Sequence, residues 1–202
     1  MHVSLPEFPP LFPSGEWWRV FAGARLDRFD TPSAIGKANA SAGVRPREWM
    51  RTRIAGGAML SIPVAGGAST LKNRLPSSWR LAREAAREMQ KFESTLATVY
   101  GRQPYFALLR DDFSIGSYIP AEGEEYDSAE RLCNEAFIRT AGTLGLDDEF
   151  LLESIRVRME AKDSLLRGVC NDVTPLFNPE LSIVDAIVRL GPDAIFLLIS
   201  AF

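Results

Sequence analysis

Two adjacent glycines, Gly56 and Gly57, constrain the fold of this chain more than any other feature, because they lie between two segments of strand-like composition. Neighbouring glycines supply the positive φ angles that a tight reversal requires, so the run predicts a β-hairpin. We expect its first strand at about Met50–Ala55 and its second at Met59–Val64. The rest of the chain is then organised around this hairpin.

Two cations, Arg51 and Arg53, alternate with uncharged residues in the first strand of the hairpin. Successive side chains of a strand point to opposite faces, so both guanidinium groups should emerge from one face. Two like charges on one face repel each other unless an anion lies there. The pair is therefore a candidate binding site for a small anionic or carrier-bound substrate. The alternative is that both are solvated surface arginines, since charged side chains are usually exposed.

The remaining pattern mixes short strand-like runs with longer amphipathic segments. It predicts an α/β fold, with α+β as the alternative, in which a small central sheet of about four or five strands is packed by about six helices. The length of 202 residues favours a single domain, residues 1–202. The further strands are predicted at Val3–Leu5, Leu26–Asp30 and Phe150–Val157, and a mobile loop is predicted at Ser33–Arg47. The predicted helices run from Ser14 to near Gly23, from Ser77 or Ser78 to Tyr100, over Pro104–Phe113, from Glu124 to Leu144, over about Ala161–Cys170 and from Ser182 to Leu190.

The clearest helix signature begins at Ser182, close to the end of the sequence. Asp185 follows three residues later, and the two form a capping pair. Gly191 and Pro192 then end the helix. Asp185 is therefore predicted to cap the helix rather than to act as a catalytic acid.

Composition excludes several classes of function. The formal charge is −3 and the pI is about 5.4, so the chain has no global basic field for nucleic acid. The only histidine is His2, which excludes an internal histidine base and an ordinary His/Cys zinc site. We predict no metal and no cofactor. Cys133 and Cys170 lie in apolar, helix-like contexts without CxxC spacing, which favours two reduced thiols in a cytoplasmic protein.

The apolar run Ala194–Phe202 is much shorter than the ~20 residues that span a bilayer. We expect either a buried terminal helix or a patch that a partner subunit covers, and the second alternative predicts a homodimer. No signal peptide is evident at the N-terminus.

Several short motifs follow one another in an order that resembles the WbqC-like proteins of bacterial polysaccharide and O-antigen gene clusters. Each motif is moderately specific, and their order is more so. Where relatives carry a histidine after the tryptophan that corresponds to Trp79, this chain has Arg83. The motifs are Pro9-Pro10-Leu11-Phe12-Pro13 with Trp17-Trp18, Phe29-Asp30, Arg51-Thr52-Arg53-Ile54, Leu60-Ser61-Ile62-Pro63-Val64, Tyr100 with Pro104-Tyr105-Phe106, and Phe177 to Gly191.

The resemblance implies a transferase that forms an amide on an amino sugar or a similar amine, with an acyl or aminoacyl donor, in polysaccharide or secondary-metabolite biosynthesis. In this hypothesis Arg51 and Arg53 hold an oxyanion of the donor, because a planar guanidinium binds such groups bidentately. Asp30 would orient or deprotonate the amine. Trp17 or Trp18 and Tyr105 would form flat walls.

The missing histidine favours a different function, a non-catalytic binding or assembly protein that has kept the family fold. The apolar run near residue 202 also fits this alternative if a partner copy covers it. Of Trp17 and Trp18, one should be core, since adjacent residues of a helix point in different directions, and the other is either a ligand wall or a half-exposed side chain.

Overall fold

The computed structural model describes residues 7–43, 45, 48–73, 78–107, 110, 128–176 and 178–200. This part of the chain is mostly helical, and a two-stranded antiparallel ribbon is the only sheet in it. The prediction of an α/β or α+β fold with a sheet of four or five strands is therefore wrong. The helices are α1 (Gly15–Leu26), α2 (Thr31–Ser41), α3 (Gly67–Asn73), α4 (Ala85–Tyr100), α5 (Ala129–Thr143), α6 (Glu149–Glu160), α7 (Ser164–Val173), α8 (Ile183–Leu190) and α9 (Ala194–Ile199).

The predicted hairpin is present, with shorter strands than expected. Strand β1 (Arg51–Arg53) and strand β2 (Met59–Ser61) are joined by a 3₁₀ turn at Ala55–Gly57. Gly56 and Gly57 both have φ of 78°, as the tight reversal requires. The paired residues are Arg51 with Ser61, Thr52 with Leu60 and Arg53 with Met59.

The predicted strand Phe150–Val157 lies inside helix α6. Asp148 begins this helix, because its carboxylate accepts hydrogen bonds from the backbone nitrogens of residues 150 and 151, at 2.9 and 3.1 Å. Leu152 and Ile155 are buried at helical spacing. A short run of mixed polarity fits both the two-residue repeat of a strand and the 3.6-residue repeat of a helix. Here the N-cap at Asp148 favours the helix.

The predicted strand Leu26–Asp30 is wrong, because this segment is the end of α1 and the turn that leads into α2. The predicted loop Ser33–Arg47 is wrong for residues 33–41, which lie in α2. Helix α1 ends at Leu26, and Asp30 is the N-cap of α2, with a proline in the first turn. The small residues that suggested a loop allow α2 to approach α1 closely, so Ala34 and Ala38 are fully buried. The predicted strand Val3–Leu5 lies outside the described residues.

Helix α1 lies at the centre of the fold and contacts α2, α6, α8 and α9. Its two tryptophans pack with two phenylalanines in one aromatic cluster. Trp17 stacks on Phe21 with ring centroids 5.5 Å apart, and Trp18 stacks on Phe137 at 5.3 Å. The other ring pairs meet edge to face, which is a favoured geometry for aromatic rings. The cluster therefore anchors α1 against α5.

Two buried arginines close the C-terminal end of α1. The Arg156 guanidinium donates hydrogen bonds to the carbonyl oxygens of Leu26 at 2.9 Å and of Arg25 at 2.6 Å. Arg25 in turn pairs with Glu149 at the start of α6. The last carbonyls of a helix have no partner in the next turn of that helix, so the guanidinium supplies donors at the end of α1. The Arg25 carbonyl also accepts a hydrogen bond from the backbone nitrogen of Arg28 at 3.1 Å.

The apolar segment after residue 193 forms helix α9, and most of its side chains are buried within the chain itself, against α1 and α7. Its described residues therefore leave little apolar surface for a partner subunit.

Cys133 and Cys170 are free thiols in buried positions, and burial raises the pKa of both. Within the described ranges, every helix is too short or too polar to traverse a lipid bilayer.

Candidate functional site

A surface groove lies beside strand β1, between the hairpin and two loop segments, residues 10–14 and 180–182. We call it the hairpin groove. It has a volume of about 260 Å³ and is open to solvent. This is slightly below the range of about 300–1,000 Å³ that is typical of pockets for small molecules, so a ligand in it would be small or would project into solvent.

Backbone and side-chain hydrogen bonds fix the three walls of the hairpin groove. The backbone nitrogen of Leu11 donates to the carbonyl oxygen of Trp49 at 2.8 Å, and the Thr52 hydroxyl donates to the Leu11 carbonyl at 2.7 Å. On the other side, the backbone nitrogen of Ser182 donates to the carbonyl of Arg53 at 2.8 Å. Strand β1 is therefore held between residues distant in sequence.

Arg51 and Arg53 are both exposed and line the groove, while Thr52 between them is buried. Alternate residues of a strand share a face, so the two guanidinium groups lie on the same side of β1. The Arg53 guanidinium is 3.2 Å from the Glu180 carboxylate in an exposed ion pair. Arg51 forms no ion pair with any residue that the structure describes. One guanidinium of the two is thus available to an external anion, and the other is held by a carboxylate of the same chain.

Two helices begin at the edge of the hairpin groove. Ser14 is the N-cap of α1 and Ser182 is the N-cap of α8, and the two serines face each other in an antiparallel bridge. The positive ends of both helix dipoles therefore add to the field of the arginines. Their first backbone N–H groups already have partners, so they contribute charge and no free donors.

The groove can bind an oxyanion but holds little that would catalyse a reaction. Glu48 and Glu180 are its carboxylates, and the Glu48 side chain accepts a hydrogen bond from the backbone of Arg45 at 3.3 Å. The Ser182 hydroxyl donates to the Phe12 carbonyl at 3.1 Å and also caps α8. Among the described residues that line the groove, no nucleophile has a base beside it.

The two tryptophans that were predicted as ligand walls are part of the core. Trp17 and Trp18 are both 0% exposed. The Trp17 indole nitrogen donates to the Asn39 side chain at 2.9 Å, which in turn donates to the Phe8 carbonyl. Neither ring borders the hairpin groove, because each is stacked inside the aromatic cluster. A surface ligand therefore cannot contact them.

Asp30, the predicted catalytic acid or base, caps a helix. Its carboxylate accepts a hydrogen bond from the backbone nitrogen of Ser33 at 2.9 Å. The hydrogen bonds from Ser33 lower the pKa of Asp30, which makes the carboxylate a weaker base. It does not line the hairpin groove.

Tyr105 is 39% exposed, and its ring lies against Gly191. Its backbone nitrogen donates to the carbonyl of Val188 at 3.0 Å. It too lies away from the lining of the hairpin groove. Of the six predicted site residues, the structure therefore brings Arg51 and Arg53 together and places the other four elsewhere.

A buried polar group that the sequence reasoning missed lies between α4 and α8. The Tyr100 hydroxyl accepts a hydrogen bond from the backbone nitrogen of Ala55 at 2.9 Å. Burial, and then the nearby Asp185 carboxylate, raises the pKa of Tyr100. Asp185 forms an ion pair with Arg189 at 3.2 Å, and the side chain that caps α8 is that of Ser182. The sequence does contain a signal for this buried polar group, namely an aspartate within the apolar run 183–188, because a charge there needs a buried partner.

No group of three or more potential metal ligands occurs in the described part of the chain. His2, the one histidine of the sequence, lies outside that part. Comparisons with models of known protein families, with curated proteins and with solved structures find no significant match to this chain.

Proposed function

We propose that this protein is a binding module for a small anionic ligand, which is held in the hairpin groove by Arg51 and Arg53. The observation that supports this best is the placement of both guanidinium groups on one face of β1, beside the N-termini of two helices. Guanidinium groups bind carboxylates and phosphates through paired hydrogen bonds, and the helix dipoles favour the same sign of charge.

The Glu180 carboxylate supports the same proposal. It already occupies one of the two guanidinium groups, with Arg53 50% and Glu180 75% exposed in their side chains. Such exposed pairs contribute little to stability, because water screens them. An external carboxylate or phosphate can therefore replace Glu180 at small cost, so the internal pair indicates the kind of group that the groove accepts.

A binding role also fits what surrounds the arginines. A catalyst needs an acid, a base or a nucleophile within hydrogen-bond reach of the reacting atoms. Asp30 caps α2, and the serines of the groove are occupied as helix caps. A binding or assembly protein that has kept a WbqC-like fold needs only cations to hold its ligand, and the groove contains these without an additional acid, base or nucleophile.

The amide-forming transferase is the second candidate, and the exposed Arg51 favours it because a donor phosphate or carboxylate needs such a partner. In that case the acceptor amine is positioned rather than deprotonated by this chain. A place in polysaccharide biosynthesis and a cytoplasmic location belong to the same proposal. The free thiols of Cys133 and Cys170 fit a reducing compartment.

A thermal-shift screen tests the binding proposal. The wild-type protein is heated with inorganic phosphate, succinate, a nucleotide sugar, an acyl thioester and an aminoacyl donor, since a ligand that binds the folded state raises Tm. The double variant Arg51→Gln/Arg53→Gln should lose the shifts caused by inorganic phosphate, succinate and the nucleotide sugar. The control, Arg87→Gln with Lys91→Gln on the exposed side of α4, also removes two positive charges and should keep them. Equal shifts in the double variant and the control would contradict the proposal.

An assay for product separates the two candidates. Donor and an amino sugar are incubated with the protein, and amide formation is followed by mass spectrometry. The binding module predicts no protein-dependent amide, whereas the transferase predicts product that the double variant does not form.

A further inference from the structure

A second cleft lies between α6, α7 and the end of α9, and it shares no lining residue with the hairpin groove. Its volume is about 180 Å³, below the range of about 300–1,000 Å³ for typical ligand pockets. We call it the α6–α7 cleft. A ligand that it encloses must therefore be small.

The floor of the α6–α7 cleft is apolar. Leu166, Cys170 and Ile199 are each less than a tenth exposed, and the flexible Met159 side chain lies beside them. Burial raises the pKa of the Cys170 thiol, so the thiol is neutral and adds to the apolar surface. This floor suits an aliphatic group.

The rim of the same cleft is cationic. Arg158, Lys162 and Arg167 line it, with Asp163 as its carboxylate. The Asp163 carboxylate already has partners within the chain. It forms an ion pair with Arg158 at 2.7 Å and, as the N-cap of α7, accepts a hydrogen bond from the backbone nitrogen of Leu165 at 2.8 Å. Lys162 and Arg167 form no ion pair with any residue in the described ranges. The cleft therefore carries two uncompensated positive charges above an apolar floor.

Lys162 also has an unfavourable backbone conformation. Its φ is +52°, in the left-handed region that side chains other than glycine and asparagine rarely adopt. A turn of this shape between two helices is normally made by glycine. The chain has a long cationic side chain at this position, directly at the rim of the cleft.

We propose that the α6–α7 cleft binds a small amphiphilic carboxylate, a short- to medium-chain fatty acid, with its hydrocarbon chain on the floor and its carboxylate between Lys162 and Arg167. A charged head group supplies the missing negative charge, and the hydrocarbon chain covers apolar surface that water otherwise contacts. The size of the cleft favours chains of the length of hexanoate or octanoate over those of membrane lipids.

A purely structural explanation of the cations makes different predictions. Arg158 and Lys162 lie at the C-terminal end of α6, where positive charge stabilises the helix dipole. In that case replacing Lys162 would lower Tm and leave any ligand unaffected. The binding proposal requires octanoate affinity to fall when the charge is removed. Glycine is the informative replacement, because it removes the charge and also relieves the backbone strain at this positive φ.

Isothermal titration calorimetry with octanoate, below its micelle concentration, tests the proposal on the full chain. Acetate lacks the hydrocarbon chain and octanol lacks the charge, so both should bind at least tenfold more weakly than octanoate. Lys162→Gln and Arg167→Gln should each weaken octanoate binding severalfold. Lys91→Gln, on the exposed face of α4, is the charge-matched control and should bind like the wild type.

The variant Lys162→Gly separates function from stability. We expect its Tm to be unchanged or raised and its octanoate affinity to fall severalfold. The proposal is overturned if the wild type shows no saturable octanoate binding, if octanol binds equally well, or if Lys162→Gly lowers Tm and binds octanoate as the wild type does. These measurements do not depend on the hairpin groove, because none of the substituted residues lines it.

Discussion

The ring of Tyr105 lies directly against Gly191, so that a Cβ atom on residue 191 would be 2.7 Å from two ring carbons. Gly191 also has φ of 59° and ψ of −137°, a conformation that is essentially restricted to glycine. Gly191→Ala should therefore lower the free energy of unfolding by about 1–3 kcal/mol, measured by urea denaturation.

The matched control for this substitution is Gly36→Ala in helix α2. A Cβ there has nothing within 4 Å, and alanine is the better helix former, so stability should rise by about 0.5–1 kcal/mol. Two substitutions of the same chemical type should thus change stability in opposite directions. A loss of stability at both positions would contradict the prediction.

Tyr100→Phe should destabilise the fold by about 1 kcal/mol, because it leaves the partly buried Ala55 backbone N–H without its acceptor. Tyr100 itself is 1% exposed, so water cannot easily replace the lost hydroxyl. Chemical denaturation of the variant gives the value. Tyr105→Phe, at an exposed position, is the control and should change stability by much less.

Asp30→Asn should change the acid dependence of stability. The folded-state pKa of Asp30 is lowered by its hydrogen bonds from Ser33, so its stabilising contribution is present above the usual carboxyl pKa and is lost as the pH falls through the lower folded value. Asparagine still caps the helix but does not titrate. Below about pH 4 the Tm of the wild type should therefore approach that of the variant. Parallel Tm curves between pH 7 and the acid limit would exclude this contribution.

Glu180→Gln should raise the affinity of the hairpin groove for inorganic phosphate. The substitution removes the carboxylate that now pairs with Arg53. An exposed pair contributes about 0–1 kcal/mol, so the gain should be at most about fivefold. Titration calorimetry at low salt measures it. Glu160→Gln on α6 changes the net charge equally and should leave phosphate affinity within error; equal gains in both variants would mean that net charge alone is responsible.

The parts of the fold that could be predicted from sequence are those with a strong local signal. Gly56 and Gly57 mark the hairpin turn, and the Ser182 cap with the Gly191 stop gives the bounds of α8. The predicted strand Phe150–Val157 is wrong because a short run of mixed polarity fits a strand or a helix equally well. The predicted strand Leu26–Asp30 is instead the turn between two helices. Asp30 before a threonine and a proline was a helix start, and the strand interpretation overlooked that cap.

The site was harder to predict than the fold, because burial depends on partners far along the chain. Trp17 and Trp18 were predicted as ligand walls, but Phe137, more than a hundred residues away, stacks on Trp18 and meets Trp17 edge to face in the core. The shared face of Arg51 and Arg53 follows from strand alternation alone. Their neighbour Glu180 comes from a distant loop, and no pattern near the arginines indicates it.

The bridge between Ser14 and Ser182 has a consequence for synthesis of this protein on the ribosome. Helix α1 is translated more than 150 residues before the helices α8 and α9 that contact it. In that interval the two tryptophans of the nascent helix lack native neighbours, Phe137 among them. Chaperones that hold exposed aromatic segments would act in that interval, and the core closes only after α8 and α9 leave the exit tunnel.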